Sequence, residues 1–283
     1  MGNQSLKHRM MLVKGNPDCI LGDTRPEDWT DLMRAVPNSL LRSALFAGVR
    51  GGQRFLEKVE ICTTAGTRIT YTGPQLNQGD LDVWLALLLV ARRGGRWSEC
   101  HTTAYQLLKT LGITDTGKNR LQLSRSLSRL EATALDLQSS KYNYEGRLIN
   151  ELARDEKTKK FVIRLNPSLS ALFGYDQYTR INWKVRHELA GKPLAQWLHG
   201  YYSSHANPFP VRVETLHGLC GSAAKIARDF KKDLLRSLES IRGASEKYGL
   251  HFNYEVRDNL ICINKSGGAF QKRQLSRNDN AER

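Results

Sequence analysis

At 283 residues the chain is long enough for about two domains, each able to bury its own core, which excludes a peptide or a disulfide-stapled miniprotein. Lys+Arg 43 against Asp+Glu 28 leave a net charge of +15, an excess that suits a polyanionic partner, nucleic acid first and an anionic membrane surface second. The longest apolar run, Val83 to Ala91, has nine residues where a membrane span needs about 20, so a cytoplasmic chain that neither crosses nor lies on a membrane is expected.

Met1 to Asp28 carry Gly, Asn, Pro and charge without periodicity and are expected to form a flexible arm (1–28). Val59 to Cys62 and Arg68 to Tyr71 alternate apolar and polar across a turn at Ala65-Gly66, the pattern of a β-hairpin. Leu81, Val83, Trp84, Leu87, Leu88 and Val90 recur at helical spacing and stop at Arg92-Arg93-Gly94-Gly95. A short helix from Tyr105 to Leu111 closes at Gly112. After a turn at Asp115-Thr116-Gly117, Lys118 to Ala134 carries Leu123, Leu127, Leu130 and Ala134 on one helical face. Strands follow at 135–138, 147–153 and 160–165. Helix, helix, helix, hairpin is the order of a winged-helix unit.

The order then recurs. Leu194 to Tyr202 reads as a helix, Val211 to Val213 as a short strand, Glu214 to Leu219 as a short helix, Ser222 to Ile241 as a long amphipathic helix, and Leu250 to Val256 with Leu260 to Asn264 as a hairpin. Aligning Leu111 on Leu219 gives an offset of 108, and aligning Leu127 on Leu238 gives 111. The predicted fold is therefore α+β, two tandem winged-helix domains at 29–174 and 175–265, with a flexible tail at 266–283.

On the third helix of each unit, charge and apolar residues segregate. Lys118, Gln122, Arg125 and Arg129 fall within about 60° of one another, away from the leucine stripe. Lys225, Arg228, Lys232 and Arg236 span about 80°, opposite Phe230, Leu234, Leu238 and Ile241, with Lys231 at the border. Such side chains reach phosphates, or guanine edges in a major groove wide enough for a helix. The candidate DNA-binding residues are thus Lys118, Arg120, Gln122, Arg125 and Arg129 in the first unit and Lys225, Arg228, Lys231, Lys232 and Arg236 in the second. Lys157, Lys159, Lys160 and Arg257, in the hairpin turns, are candidates for wing contacts.

Catalytic constellations are sparse. No phosphate loop of the G-x-x-x-x-G-K-[ST] kind and no G-x-S-x-G elbow occurs. Asp80 and Asp82 precede an apolar helix, where acids cap the amino terminus. Tyr201 and Tyr202 in His199-Gly200-Tyr201-Tyr202-Ser203-Ser204-His205 have the look of a DNA-nicking nucleophile, but no His-x-His accompanies them and buried helix tyrosines explain the run. Five scattered cysteines (Cys19, Cys62, Cys100, Cys220, Cys262) form no C-x-x-C pair, and only Cys100-His101 sets two soft ligands together. No enzyme activity, cofactor or metal is expected.

Several blocks resemble the TrfA family of plasmid replication initiators: Leu32-Met33-Arg34-Ala35-Val36-Pro37-Asn38, Arg42-Ser43-Ala44-Leu45-Phe46, Ile69-Thr70-Tyr71-Thr72-Gly73, Arg129-Leu130-Glu131-Ala132-Thr133-Ala134, Leu172-Phe173 with Asp176, Tyr178, Thr179 and Trp183, Tyr202-Ser203-Ser204-His205, and Glu214-Thr215 before Cys220-Gly221-Ser222. The resemblance runs from about Trp29 to Cys262. It implies a two-winged-helix initiator that binds double-stranded iterons at a plasmid origin, helps open adjacent A·T-rich DNA, which it contacts as single strands, recruits the host replicative helicase and initiator and the polymerase clamp, and exchanges between monomer and dimer. Where family members carry a clamp-binding Gln-Leu-Ser-Leu-Phe segment, this chain has Cys19-Ile20-Leu21-Gly22-Asp23-Thr24. Autorepression of its own operon is the second expected role.

Overall fold

The computed structural model describes residues 29–49, 54–64, 66–94, 98–155, 157–158, 160–174, 176–222, 224 and 227–266. The expected arms lie outside the described residues, apart from Ser266. In chain order the elements are β1 (Met33–Pro37), α1 (Asn38–Leu41), β2 (Phe46–Ala47), β3 (Arg54–Ile61), β4 (Thr67–Pro74), β5 (Leu76–Asn77), α2 (Gln78–Arg93), β6 (Glu99–Thr103), α3 (Ala104–Leu111), α4 (Gly117–Glu131), β7 (Ala134–Ser139), β8 (Asn143–Gly146), β9 (Ile149–Arg154) and β10 (Lys160–Leu165). A 3-10 turn (Pro167–Phe173), β11 (Tyr178–Asn182), α5 (Trp183–Glu188), α6 (Pro193–Ser203), β12 (Val211–Arg212), α7 (Val213–Leu219), α8 (Ala227–Glu246), β13 (Phe252–Arg257) and β14 (Leu260–Lys265) complete the fold.

The same six-element order occurs twice. Helix α2, strand β6, helices α3 and α4 and the antiparallel hairpin β9–β10 form the first set, its sheet ordered β6-β10-β9. Helix α6, strand β12, helices α7 and α8 and the hairpin β13–β14 form the second, ordered β12-β14-β13. In both, the last strand sits in the middle. Leu111, Leu127, Leu130, Leu219, Leu238 and Ile241, the residues aligned between the two units, are all buried.

Two cores result. One runs from Trp29 to Trp183 and is centred on α2, which is apolar nearly all round; Trp84 stacks between Phe46 and Phe173 at 6.3 Å from each. The other runs from Val185 to Ile263. Strand β11 lies beyond the expected division at 174/175, yet it pairs along its whole length with β1, so those residues are held with the first core. Periodicity within residues 175–183 carries no sign of that pairing, because the partner strand is about 140 residues away.

The first unit also carries an addition that the second lacks. Strands β7 and β8, on the path from α4 to the hairpin, leave it to join β3 and β4 in a four-stranded antiparallel sheet. The predicted hairpin at 59–71 is the first half of that sheet. Strand β6 was absent from the helix-helix-helix expectation because Glu99-Cys100-His101-Thr102-Thr103 is polar; it is held by its ladder to β10. Helix α8 is described from Ala227 and runs past its expected end at Ile241 to Glu246, burying Ala244 and Ser245.

Candidate nucleic-acid interface

Local chemistry fixes where α4 points. Thr103 caps α3 by accepting from the Gln106 amide at 3.2 Å, and the Gln106 carboxamide accepts in return from Thr103 N–H at 3.0 Å. Gly112 ends α3 with φ 75°, a conformation costly for residues with a Cβ, and it leaves room for His187 of α5, whose Nε2 lies 3.3 Å from the Gly112 carbonyl. Thr116 then caps α4, accepting from Asn119 N–H at 3.2 Å. Leu123, Leu127 and Leu130 face the core, leaving Lys118, Gln122 and Arg125 exposed on the opposite face with no ion pair among the described residues.

Two of the candidate residues on α4 have other partners. Arg129 gives a bidentate bond to Asp80, Nε to Oδ2 at 2.9 Å and Nη2 to Oδ1 at 2.6 Å, and the carboxylate is wholly buried. It is a structural cation, a correction to the expected DNA contact; the helical wheel placed it on the basic face but could not show the acid beneath it. Arg120 lies outside the 60° stripe and grips Asp115 through Nε and Nη2, at 2.5 and 2.6 Å, in the turn that precedes its own helix. That pair raises the Arg120 pKa and lowers that of Asp115.

On α8, Phe230, Leu234, Leu238 and Ile241 are buried, and Arg228, Lys232 and Arg236 are exposed on the far side. Arg228 and Lys232 make no ion pair among the described residues. Arg236 approaches Asp233 at 3.4 Å, an exposed contact of little strength. Lys231 is half-buried and donates to the Asp258 carbonyl at 3.3 Å, tying α8 to the turn of the β13–β14 hairpin. Lys225 lies outside the described residues.

In the turn between β9 and β10, the Asp155 carboxylate accepts from the amides of Lys157 and Thr158 at 2.8 and 3.0 Å, which holds its pKa below the usual range and presents Lys157 to solvent. Lys160, at the start of β10, is exposed, and Lys159 lies outside the described residues. In the second hairpin Arg257 is exposed but pairs with Glu255 at 2.7 Å. Leu121 was missed by the sequence reasoning: it is 53% exposed on α4, about 40° beyond Arg125 around the helix. Its signal was available, since it falls out of register with the stripe of Leu123, Leu127 and Leu130.

The nicking alternative finds no support in the geometry. Tyr202 is 1% exposed and Tyr201 is 5% exposed, stacked on Trp197 at 5.1 Å, and burial raises the pKa of both phenols. Neither oxygen can reach a phosphodiester from inside the core. Asp80 completes a capping box with Asn77 at the start of α2, the capping role expected of it, while Asp82 instead pairs with Arg186. Among the described residues no three His, Cys, Asp or Glu side chains gather as a metal site would require, and no helix is long and apolar enough to cross a membrane.

Two solved structures share this fold at 15% sequence identity. One, a selenomethionine derivative of domains 2 and 3 of RctB, has a TM-score of 0.52 over 80% of this chain and 97% of that one. A second structure of the same RctB domains gives 0.50 over 81% and 97%. The Pi initiator protein, solved in complex with iteron DNA, gives 0.44 over 67% and 95% at 15% identity. In sequence, "Plasmid replication initiator protein TrfA" of Escherichia coli is 30% identical over 265 residues, 90% of this chain and 67% of that protein. The class is therefore that of plasmid replication initiators. The model of the TrfA protein family matches residues 4–264, and the chain belongs to that family.

Proposed function

We propose that the two six-element units are winged-helix domains, meeting near Trp183, and that the protein initiates replication by binding iteron repeats at its plasmid origin with α4 and α8 as the two recognition helices. One observation carries this reading: the third helix of each unit presents exposed basic residues with no ion pair among the described residues, Lys118 and Arg125 on α4 and Arg228 and Lys232 on α8. Exposed cations left without acidic partners are suited to phosphate, and their presence on the third helix of both units suits a repeat read in two halves.

Within that scheme Gln122 can present its carboxamide to an adenine edge and Leu121 can meet a thymine methyl, while the free cations position the helices on the backbone. Lys157, Lys159 and Lys160 are the candidates for wing contacts with phosphate. Binding is non-catalytic and cytoplasmic, with opening of A·T-rich DNA, recruitment of host helicase, host initiator and clamp, and dimer formation as the further steps. Residues 19–24, which stand in place of a clamp-binding segment, lie outside the described residues.

The test is a footprint of the purified protein on its own plasmid DNA at two salt concentrations. Evenly spaced protected repeats are expected, with log K falling by about 0.9 per neutralised phosphate as log salt rises. Uniform, salt-sensitive coverage without repeats would overturn the iteron reading.

A further inference from the structure

The first turns of α2 send two carboxylates in different directions. Asp80 receives Arg129 from the last turn of α4, as described above. Asp82 receives Nε of Arg186, on α5, and the carboxamide of Gln196, on α6, at 3.2 Å. Arg186 is 1% exposed, and its other nitrogens donate to the Gln78 carbonyl at 3.1 Å, the Gln78 Oε1 at 3.0 Å and the Gln196 carbonyl at 3.3 Å. Two charge-assisted pairs, joined through the backbone of α2, thus link the basic helix of one unit to α5 and to the first helix of the other.

Beside this chain the seam is not closely packed. A cavity of about 160 Å³ lies there, lined by Val83, Leu111, Trp183 and Ala190 among others. Apolar contact is non-directional and tolerates sliding, whereas a guanidinium donates along fixed directions in one plane. Arg186, Asp82 and Gln196 line the same cavity, and the bonds of Arg186 constrain both the distance and the angle between the units there, which the apolar residues Val83, Leu111, Trp183 and Ala190 do not.

We propose that Asp82 and Arg186 are positioning residues for recognition: they set the separation and rotation of α4 relative to α8, and so decide which spacing between the two halves of a DNA repeat the protein accepts. The proposal rests on the reading of α4 and α8 as the DNA-contacting helices. One extra base pair between the halves shifts the second by about 3.4 Å and turns it by about 35°. A rigid seam rejects that displacement; a loosened one follows it.

The experiment uses the full chain and duplexes carrying the repeat mapped by footprinting, with zero, one or minus one base pair inserted between its halves. Wild-type protein is expected to lose about tenfold or more in affinity at either altered spacing, a penalty like that of a mismatched base pair. An Asp82→Leu/Arg186→Met double variant removes both charges together, which leaves no unpaired ion and commonly preserves stability. It is expected to lose less than about threefold at either altered spacing, with its melting temperature retained. Identical spacing profiles in the two proteins would overturn the proposal, as would a wild type indifferent to spacing.

Should the double variant fold poorly, Arg186→Lys keeps the charge but gives up the planar fork, and a spacing profile as narrow as the wild type's would overturn the proposal there too. Loss of the reading beneath it has a different sign. Wild-type protein would then show no preference for the repeat over random duplex at any spacing, which removes the proposal with it.

Discussion

Helices α4 and α8 occupy the same place in two copies of one six-element order, yet they use their charge differently. On α4 two of four arginines and lysines are committed to the protein, Arg129 to a buried Asp80 and Arg120 to Asp115, and the exposed face that remains mixes Lys118 and Arg125 with Gln122 and Leu121. On α8 the exposed residues alternate in sign: Arg228 and Lys232 make no ion pair among the described residues, Arg236 and Lys231 are held by single long contacts, and Asp229, Asp233 and Glu239 are exposed beside them. A face with a carboxamide and an apolar side chain can discriminate bases, whereas cations on a face that offers neither mainly meet phosphates. The scaffolds differ too: α4 rests on α2, which carries Trp84, on α3 and on β9, while α8 rests on three helices and the β13–β14 hairpin.

The largest effect is expected from removing the brace under α4. Arg129→Ala leaves the Asp80 carboxylate buried without its partner, and a loss of about 3–5 kcal/mol is expected in urea unfolding. A shift no larger than that of a surface substitution would show that Asp80 does not anchor α4. Next, Gln122→Ala is expected to cost about 1–3 kcal/mol on the native repeat and to relax selectivity at one base position, while affinity for random duplex stays unchanged. A uniform loss would move α4 into the same category as α8.

Acid separates the two units through stability. His199, in the second core, is buried with its pKa depressed to about 3, first by desolvation and then by the nearby Arg186 charge. The folded state thus takes up fewer protons than the unfolded chain below about pH 6.5, so stability present at neutral pH is lost as the pH falls from about 6.5 toward 3. About 2 kcal/mol is expected to be gone by pH 5, and His199→Gln is expected to flatten that dependence in unfolding measured against pH. His205, depressed to about 4 mainly by burial, acts in the same direction.

Arg228→Ala and Lys232→Ala are expected to weaken binding equally on every sequence, each lowering the slope of log K against log salt by about 0.9. Loss confined to the native repeat would make α8 a base reader. Smallest of all, Arg236→Ala should change stability by no more than about 0.5 kcal/mol, since its contact with Asp233 is exposed and long; calorimetry would register a larger role.

Much of the duplicated order was legible along the chain. Leucines at spacings of three and four marked α4 and α8, alternation marked the hairpins, and Lys118 and Arg125 on α4 and Arg228, Lys232 and Arg236 on α8 are exposed on the side away from the buried leucines. What escaped was whatever depends on distant partners. Strand β6 is polar and exists through its ladder to β10; β11 exists through its pairing with β1; β7 reads as one more wing strand and belongs to another sheet. Arg129 and Lys118 look alike on a wheel, and only the position of Asp80 separates a structural ion from a free one.

Composition and periodicity therefore determined by themselves that this is a basic chain of two similar α+β units with a cationic face on the third helix of each, because burial of an apolar stripe and exposure of charge are local consequences of helix and strand geometry. Tertiary structure alone decided which of those charges are free, where the first core ends, and how one unit is fixed to the other. Those outcomes turn on ion pairs and strand ladders between residues about 50 to 140 positions apart, such as Arg129 with Asp80, Arg186 with Asp82 and β1 with β11, whose energies depend on a geometry that no local pattern encodes.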